Sequence, residues 1–202
     1  MSQPLFSQDI LFYQRFLKAN GFYKSTLDGL WGKKTNAADI AFTQQTQAIA
    51  KQYGLFDARS EANIATLAPK VQIMARKFLG VMIINKKDVR IISGTRTYAQ
   101  QDALYKQGRY GNTSPIITNA RGGHSNHNFG LAWDIGLFVN GKYITDDAPY
   151  IKLAKFAMPA IPMLEWGGNW QSFKDYPHYQ HQAIDDTVAG TRALFETGAM
   201  YV

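Results

Sequence analysis

The sequence predicts an α+β protein: a small antiparallel sheet with helices, preceded by a small three-helix module. Three observations lead there. Apolar residues recur at helical spacing in several separate stretches. Short β-branched and apolar runs stand apart from them, one closed by the hairpin pair Asn140-Gly141. The regular strand–helix alternation of a doubly wound parallel sheet is missing. A length of 202 residues suits one domain, or a small module joined to a larger one. We expect the division at residues 1–66 and 67–202.

In the first module Ile10, Leu11, Tyr13, Phe16 and Leu17 form one helical stripe, with Ser7 as a cap and Gly21 in the position after the helix. Asp28-Gly29 and Gly32 make a turn-rich joint. A longer helix over 35–53 carries Ala38, Ile40, Ala41, Phe42, Ala48, Ile49 and Tyr53 and stops at Gly54. The polar stretch Asp57-Ala-Arg-Ser60 reads as a linker. In the second module Pro69 fits the first turn of a helix reaching Leu79. Residues 89–93 read as a strand. Thr97 and Gln100 have capping-box spacing and open a helix that Gly108 ends. Residues 109–126, rich in Gly and Pro, form a long loop. A strand over 131–139 turns at Asn140-Gly141 into 142–144. Residues 147–158 are helical, 164–180 strand-loop-strand, and 186–198 a short amphipathic helix packing on its own domain.

Composition removes several classes of function. There is no Cys, hence no disulfide scaffold, Cys-based zinc finger or thiol nucleophile. No apolar run reaches the ~20 residues of a membrane span, so stable membrane insertion is not expected. The N-terminus lacks the basic start and apolar stretch of a signal peptide. The net charge of +7 favours a polyanionic partner, either nucleic acid, an anionic membrane surface or a cell wall. Basic residues cluster no further than Lys33-Lys34 and Lys86-Lys87, too little for a nucleic-acid binder.

All four histidines (124, 127, 178 and 181) lie in the second module. His127 precedes Asp134 by seven positions, and Asp134 sits in the apolar run Leu131-Ala-Trp-Asp-Ile-Gly-Leu. A carboxylate there is costly to bury unless it is paired or bound to a metal. Asp175 stands three residues before His178. Two His and one Asp would make a three-ligand zinc site with an open fourth position, and a further carboxylate would serve as general base. Plainer roles stay open from the residues alone. Asp175 before Tyr-Pro suits a turn, Glu165 a strand-end ion pair, and His124 and His181 a place in loops.

Longer strings narrow the choice. Ser125-Asn-His127-Asn-Phe-Gly130-Leu-Ala132-Trp-Asp134 resembles the signature of zinc D-Ala-D-Ala carboxypeptidases and L-alanyl-D-glutamate endopeptidases. The segment from Ser93-Gly-Thr-Arg96 through Gly108-Arg109 looks like the same family's strand-to-helix segment. Glu165-Trp-Gly-Gly-Asn-Trp170, continuing to Asp175-Tyr-Pro-His178-Tyr-Gln180, resembles the branch found in phage endolysins. The resemblance covers about 67–180 and implies the zinc D-Ala-D-Ala peptidase (hedgehog-like) fold. It implies zinc ligands at His127, Asp134 and His178, a general base at Asp175 with Glu165 as runner-up, Arg96 for the oxyanion or substrate, and Ser125 near the substrate. At His124, relatives commonly carry an uncharged residue such as Gln, so His124 would either compete for the metal or touch substrate.

Phe12-Tyr-Gln-Arg-Phe-Leu-Lys-Ala-Asn-Gly21-Phe-Tyr23, followed by Asp28-Gly-Leu-Trp-Gly32-Lys-Lys-Thr35-Asn-Ala-Ala38, looks like the three-helix peptidoglycan-binding domain. Together these resemblances imply a zinc-dependent endopeptidase, monomeric, cutting the L-Ala–D-Glu bond of the peptidoglycan stem. A phage endolysin fits, made in the bacterial cytoplasm and acting on the periplasmic wall after release. The alternatives are a D-Ala-D-Ala carboxypeptidase, a secreted antibacterial effector with the same site, and a non-catalytic wall-binding protein.

Overall fold

The computed structural model describes residues 9–182 and 187–202, so the expected Ser7 cap and the start of the last helix at Asp186 lie outside the described residues. The elements are α1 (Ile10–Ala19), α2 (Lys33–Tyr53), α3 (Ala58–Ile64), α4 (Pro69–Ile84), β1 (Asp88–Ser93), α5 (Tyr98–Tyr105), β2 (Ala132–Val139), β3 (Lys142–Tyr143), α6 (Asp147–Ala157), β4 (Leu164–Trp166), β5 (His178–His181) and α7 (Val188–Thr197). Helices and an antiparallel sheet in one chain make this α+β, as expected. By compactness the chain groups into two units, residues 1–44, 95–130 and 183–202 in one and 45–94 and 131–182 in the other.

The second unit holds the sheet, in the order β1-β2-β5-β4 with β3 added beside β2, all neighbours antiparallel. Alternation along each strand splits the sheet into two chemical faces. Trp133, Tyr179 and Trp166 are successive register partners on one face. Phe78 of α4 packs there, its ring 4.6 Å from that of Tyr179 and 6.2 Å from that of Trp133. The other face carries Asp134, His178, Gln180 and Glu165. The hairpin forms as expected, with Asn140 and Gly141 both at positive φ (51° and 76°), as a two-residue turn between twisted strands requires.

The polar stretch read as a linker opens α3 instead. The side chain of Asp57 accepts from the backbone N–H groups of Arg59 and Ser60, and its neighbours are exposed because the helix has an outer face. Glu61 then forms a two-pronged pair with the fully buried guanidinium of Arg76, both bonds 2.8 Å. Helix α4 runs five residues past Leu79, because Ile83 and Ile84 continue it while facing outward.

In the first unit an aromatic cluster of Phe12, Tyr98, Phe129, Phe195 and Tyr201 joins α1, α5 and α7. The last helix packs on α1, from the other side of the expected division at residue 66, as well as on the 126–129 turn. A second centre is Gln14, fully buried. Its Nε2 donates towards Asp28 Oδ1 (2.8 Å), Leu30 O (3.0 Å), Thr35 Oγ1 (3.0 Å) and Tyr23 OH (3.3 Å). Its Oε1 accepts from the N–H groups of Asp28 and Gly29. Phe12 and Phe16 are core residues, whereas Trp31 is 37% exposed and stacks on Tyr13.

Candidate metal centre

Strand pairing builds half of the site. Asp134 on β2 stands directly opposite His178 on β5, where side chains on one face approach closely. The Asp134 Oδ1 to His178 Nδ1 distance is 3.3 Å, with side chains 18% and 6% exposed. Burial alone would lower the His178 pKa, yet hydrogen bonding and charge from Asp134, with Gln180 and Asp175 adding to it, hold it above the ordinary histidine value. Such a carboxylate in an apolar strand needs a partner, and His178 is one.

His127 comes from a 3-10 turn, Asn126–Phe129, closed by Gly130 in the left-handed region (φ 69°). Three bonds fix this turn. The N–H of Arg96 donates to His127 O (3.0 Å), Asn128 Nδ2 donates to Arg96 O (2.9 Å), and Asn128 Oδ1 accepts from Gly123 N–H (2.9 Å). Asn128 is fully buried, so its amide acts as a clasp that locks two backbone segments around the His127 position.

His127, Asp134 and His178 each offer one ligand atom, and these atoms lie within 4.8 Å of one another. Tetrahedral zinc with bonds of ~2.0–2.2 Å requires donor atoms roughly 3.3–3.5 Å apart. The Asp134–His178 pair has that spacing. Two imidazoles and one carboxylate, without thiolate, also match the ligand chemistry of a hydrolytic rather than a structural zinc site.

The remaining residues named from the sequence take distinct places. Asp175 is half-buried and outside the converging group, with its backbone O accepting from His178 N–H (3.3 Å) and its N–H donating to Gly167 O (3.2 Å). Gly167 is required there, because a Cβ would collide with Asp175 O and reach 3.1 Å from His178 Cβ. Arg96 is half-buried beside the His127 turn, one guanidinium N–H donating to Gln101 Oε1 (3.2 Å). Ser125 precedes the turn, its carbonyl accepting from Asn128 N–H (2.9 Å). Glu165 is the register partner of Gln180 and accepts from its Nε2 (2.6 Å).

His124 is exposed in the long loop, its Nε2 3.3 Å from Arg192 Nη1, and belongs to no ligand group among the described residues. His181, read as a loop residue, is instead the last residue of β5, on the face away from His178. Burial lowers its pKa.

Three residues of this region went unread in the sequence. Gln180 accepts from the His178 ring at 2.9 Å, Trp170 places its ring 4.8 Å from that of His178, and Asn128 clasps the turn. The i, i+2 spacing of His178 and Gln180 in a strand was available as a signal for the first. The loop ring and the clasp depend on tertiary contacts that spacing does not encode.

Comparisons with known proteins find similarity to peptidases over part of the chain. A family model described as D-alanyl-D-alanine carboxypeptidase matches residues 118–181, which include all three converging ligands. Over 103 residues the chain is 41% identical to peptidoglycan L-alanyl-D-glutamate endopeptidase CwlK of Bacillus subtilis (strain 168), a match covering 46% of this chain. It covers 60% of that relative, less than two thirds of its length. Among solved structures, the L-Ala D-Glu endopeptidase ChiX of Serratia marcescens aligns with a TM-score of 0.49 and 25% identity, over 62% of this chain and 88% of that one.

Proposed function

We propose that this protein is a zinc-dependent peptidoglycan hydrolase that cuts the L-Ala–D-Glu bond of the stem peptide. The observation that carries the reading is that His127, Asp134 and His178, two of them buried, each offer a ligand atom within 4.8 Å of the others. The 41% identity to an enzyme named for that bond supports the choice of substrate.

His127, Asp134 and His178 would hold the zinc, which when bound would supply Lewis acidity toward the scissile carbonyl and the attacking water. Asp175 takes the proton from that water and returns it to the departing amine, the work of a general base placed beside the ligand set. Arg96, a fixed cation in a half-buried position, stabilises the negative charge that develops on the carbonyl oxygen. Ser125 contacts the substrate. Residues 1–66 hold the protein on the wall, and the net charge of +7 favours the anionic envelope. The block around Glu165-Trp-Gly-Gly favours host lysis by a phage, with the enzyme reaching the periplasmic wall after release.

The test is mass spectrometry of fragments released from purified Gram-negative peptidoglycan by the zinc-loaded protein. Free peptides beginning at D-Glu, with glycan still bearing L-Ala, are the expected products. Loss of terminal D-Ala alone would replace this reading with a carboxypeptidase. An intact sacculus after treatment with folded, zinc-replete protein would leave wall binding as the better account. Asp175→Asn should keep stoichiometric zinc while losing turnover, and retained turnover would overturn its role.

A further inference from the structure

Glu165 was the runner-up for the general base, but its side chain is engaged elsewhere. The carboxylate has only lone pairs to offer, and its Oε2 lies 2.6 Å from Gln180 Nε2. The Gln180 amide therefore turns its donor end to Glu165. A planar amide has one donor end and one acceptor end, so its Oε1 must face the other way. It faces His178 Nε2 at 2.9 Å. An acceptor there requires that ring nitrogen to carry a hydrogen, so Nδ1 is the nitrogen with the lone pair whenever the ring is neutral or metal-bound. That nitrogen points at Asp134 Oδ1, 3.3 Å away. Between Nδ1 and the carboxylate a cation is needed, either a proton, which pairs the ring with Asp134, or a metal ion held by both.

From this chain of bonds we infer that Glu165 is a positioning residue, acting through Gln180 to set the tautomer of His178 so that Nδ1 is the metal-binding atom. The inference rests on the zinc-site reading above. Strand register makes the arrangement possible. Glu165 and Gln180 are directly opposite across β4 and β5, Asp134 and His178 directly opposite across β2 and β5, and His178 and Gln180 share a face two residues apart. One face of three strands thus carries a continuous polar line from a half-buried carboxylate to the ligand atoms. The relay gives Glu165 a role through the Gln180 amide.

The test uses the full chain and four proteins: wild type, Gln180→Leu, Glu165→Gln, and the exchange Glu165→Gln/Gln180→Glu. Zinc affinity is measured by competition with a chromophoric chelator, and the His178 tautomer by long-range proton–nitrogen correlation spectra of the zinc-loaded protein. Wild type should show a hydrogen on Nε2 and zinc on Nδ1. Gln180→Leu should weaken zinc binding by roughly 10–100-fold, the usual effect of losing a partner behind a ligating histidine. The exchange should bind zinc nearly as tightly as wild type, because it swaps the amide and the carboxylate between the two strands. The carboxylate, now on β5, accepts from His178 and from the amide now on β4, whereas a merely structural defect would add across the two substitutions. Unchanged zinc affinity in Gln180→Leu, or zinc on Nε2 in wild type, would overturn the relay. Should wild type bind no zinc, the enzyme reading fails by itself. The tautomer of the metal-free protein at pH 8 then decides the relay, which Nε2–H supports and Nδ1–H refutes.

Discussion

Replacing Gln14 by Leu should cost this protein a large share of its stability, and the amount can be built from the bonds it makes. The side chain is fully buried and joins α1 to the turn that leads into α2. Its further donor and two accepted N–H groups contribute roughly 0.5–1.5 kcal/mol each, and the bond to the exposed Asp28 carboxylate adds to them. Leu has similar volume and recovers about 1 kcal/mol through apolar burial. The expected net loss is at least about 2 kcal/mol, or roughly 4–8 °C in Tm for a chain of this size. Urea denaturation of both proteins, monitored by tryptophan fluorescence and circular dichroism, reads it directly. A loss below about 1 kcal/mol would refute the reasoning, since it would mean that water satisfies the Asp28–Gly29 turn as well as the glutamine does. The same experiment bears on function. Gln14, Tyr23, Asp28, Gly29 and Thr35 are the residues through which the N-terminal segment resembles a wall-binding domain, and the structure uses them as internal ties.

Other expectations follow from single contacts. Gly167→Ala should push the Asp175 backbone away from the ligand strand, lowering turnover by about 10²-fold for a displacement near 1 Å while zinc content stays stoichiometric; kinetics beside metal analysis would show it. Glu61→Ala strands the buried guanidinium of Arg76 and should cost about 3 kcal/mol, the low end for a broken buried pair because Glu61 is a quarter exposed. Urea unfolding checks this, and a change under about 1 kcal/mol would count against it. The Asp28 carboxyl is held below its usual range first by Gln14 and then by the Leu30 N–H. A depressed carboxylate pKa stabilises the fold above the unfolded value of about 3.9 and loses that contribution as pH falls through the folded value. The stability gap between wild type and Asp28→Asn should therefore be constant from about pH 5 to 7 and shrink below about pH 4.

Much of this molecule can be read from its residues, for identifiable reasons. The Thr97–Gln100 capping box, the Asn140-Gly141 hairpin and Pro69 in a first helical turn are local devices, and each forms where its spacing puts it. The ligand strand was legible because Asp134 is out of place among Trp133 and Ile135 unless something neutralises it. The Asp57–Ser60 stretch was misread because the polar outer face of a short helix and a linker have the same composition. Strand register was beyond reach: that Glu165 faces Gln180, and Asp134 faces His178, depends on pairings across 15 and 44 residues. The roles of carboxylates near the ligands follow from register more than from spacing, which is why Asp175 and Glu165 could be ranked from sequence but not distinguished.

The hydroxyl of Tyr201 donates to the carbonyl of Phe129 at 2.7 Å, and its ring is fully buried beside that of Phe129. Phe129 closes the turn that presents His127, so a ligand position near the middle of the chain is buttressed by a residue 72 positions after Phe129. During synthesis the His127 turn must wait for that stretch of chain to leave the ribosome before its support arrives. Until then the turn has its ties to Arg96 and Gly123, with the aromatic pocket around Phe129 unfilled. Assembly of the centre is thereby tied to the emergence of the stretch around Tyr201, and a chain terminated before it would carry the full ligand sequence without a finished site.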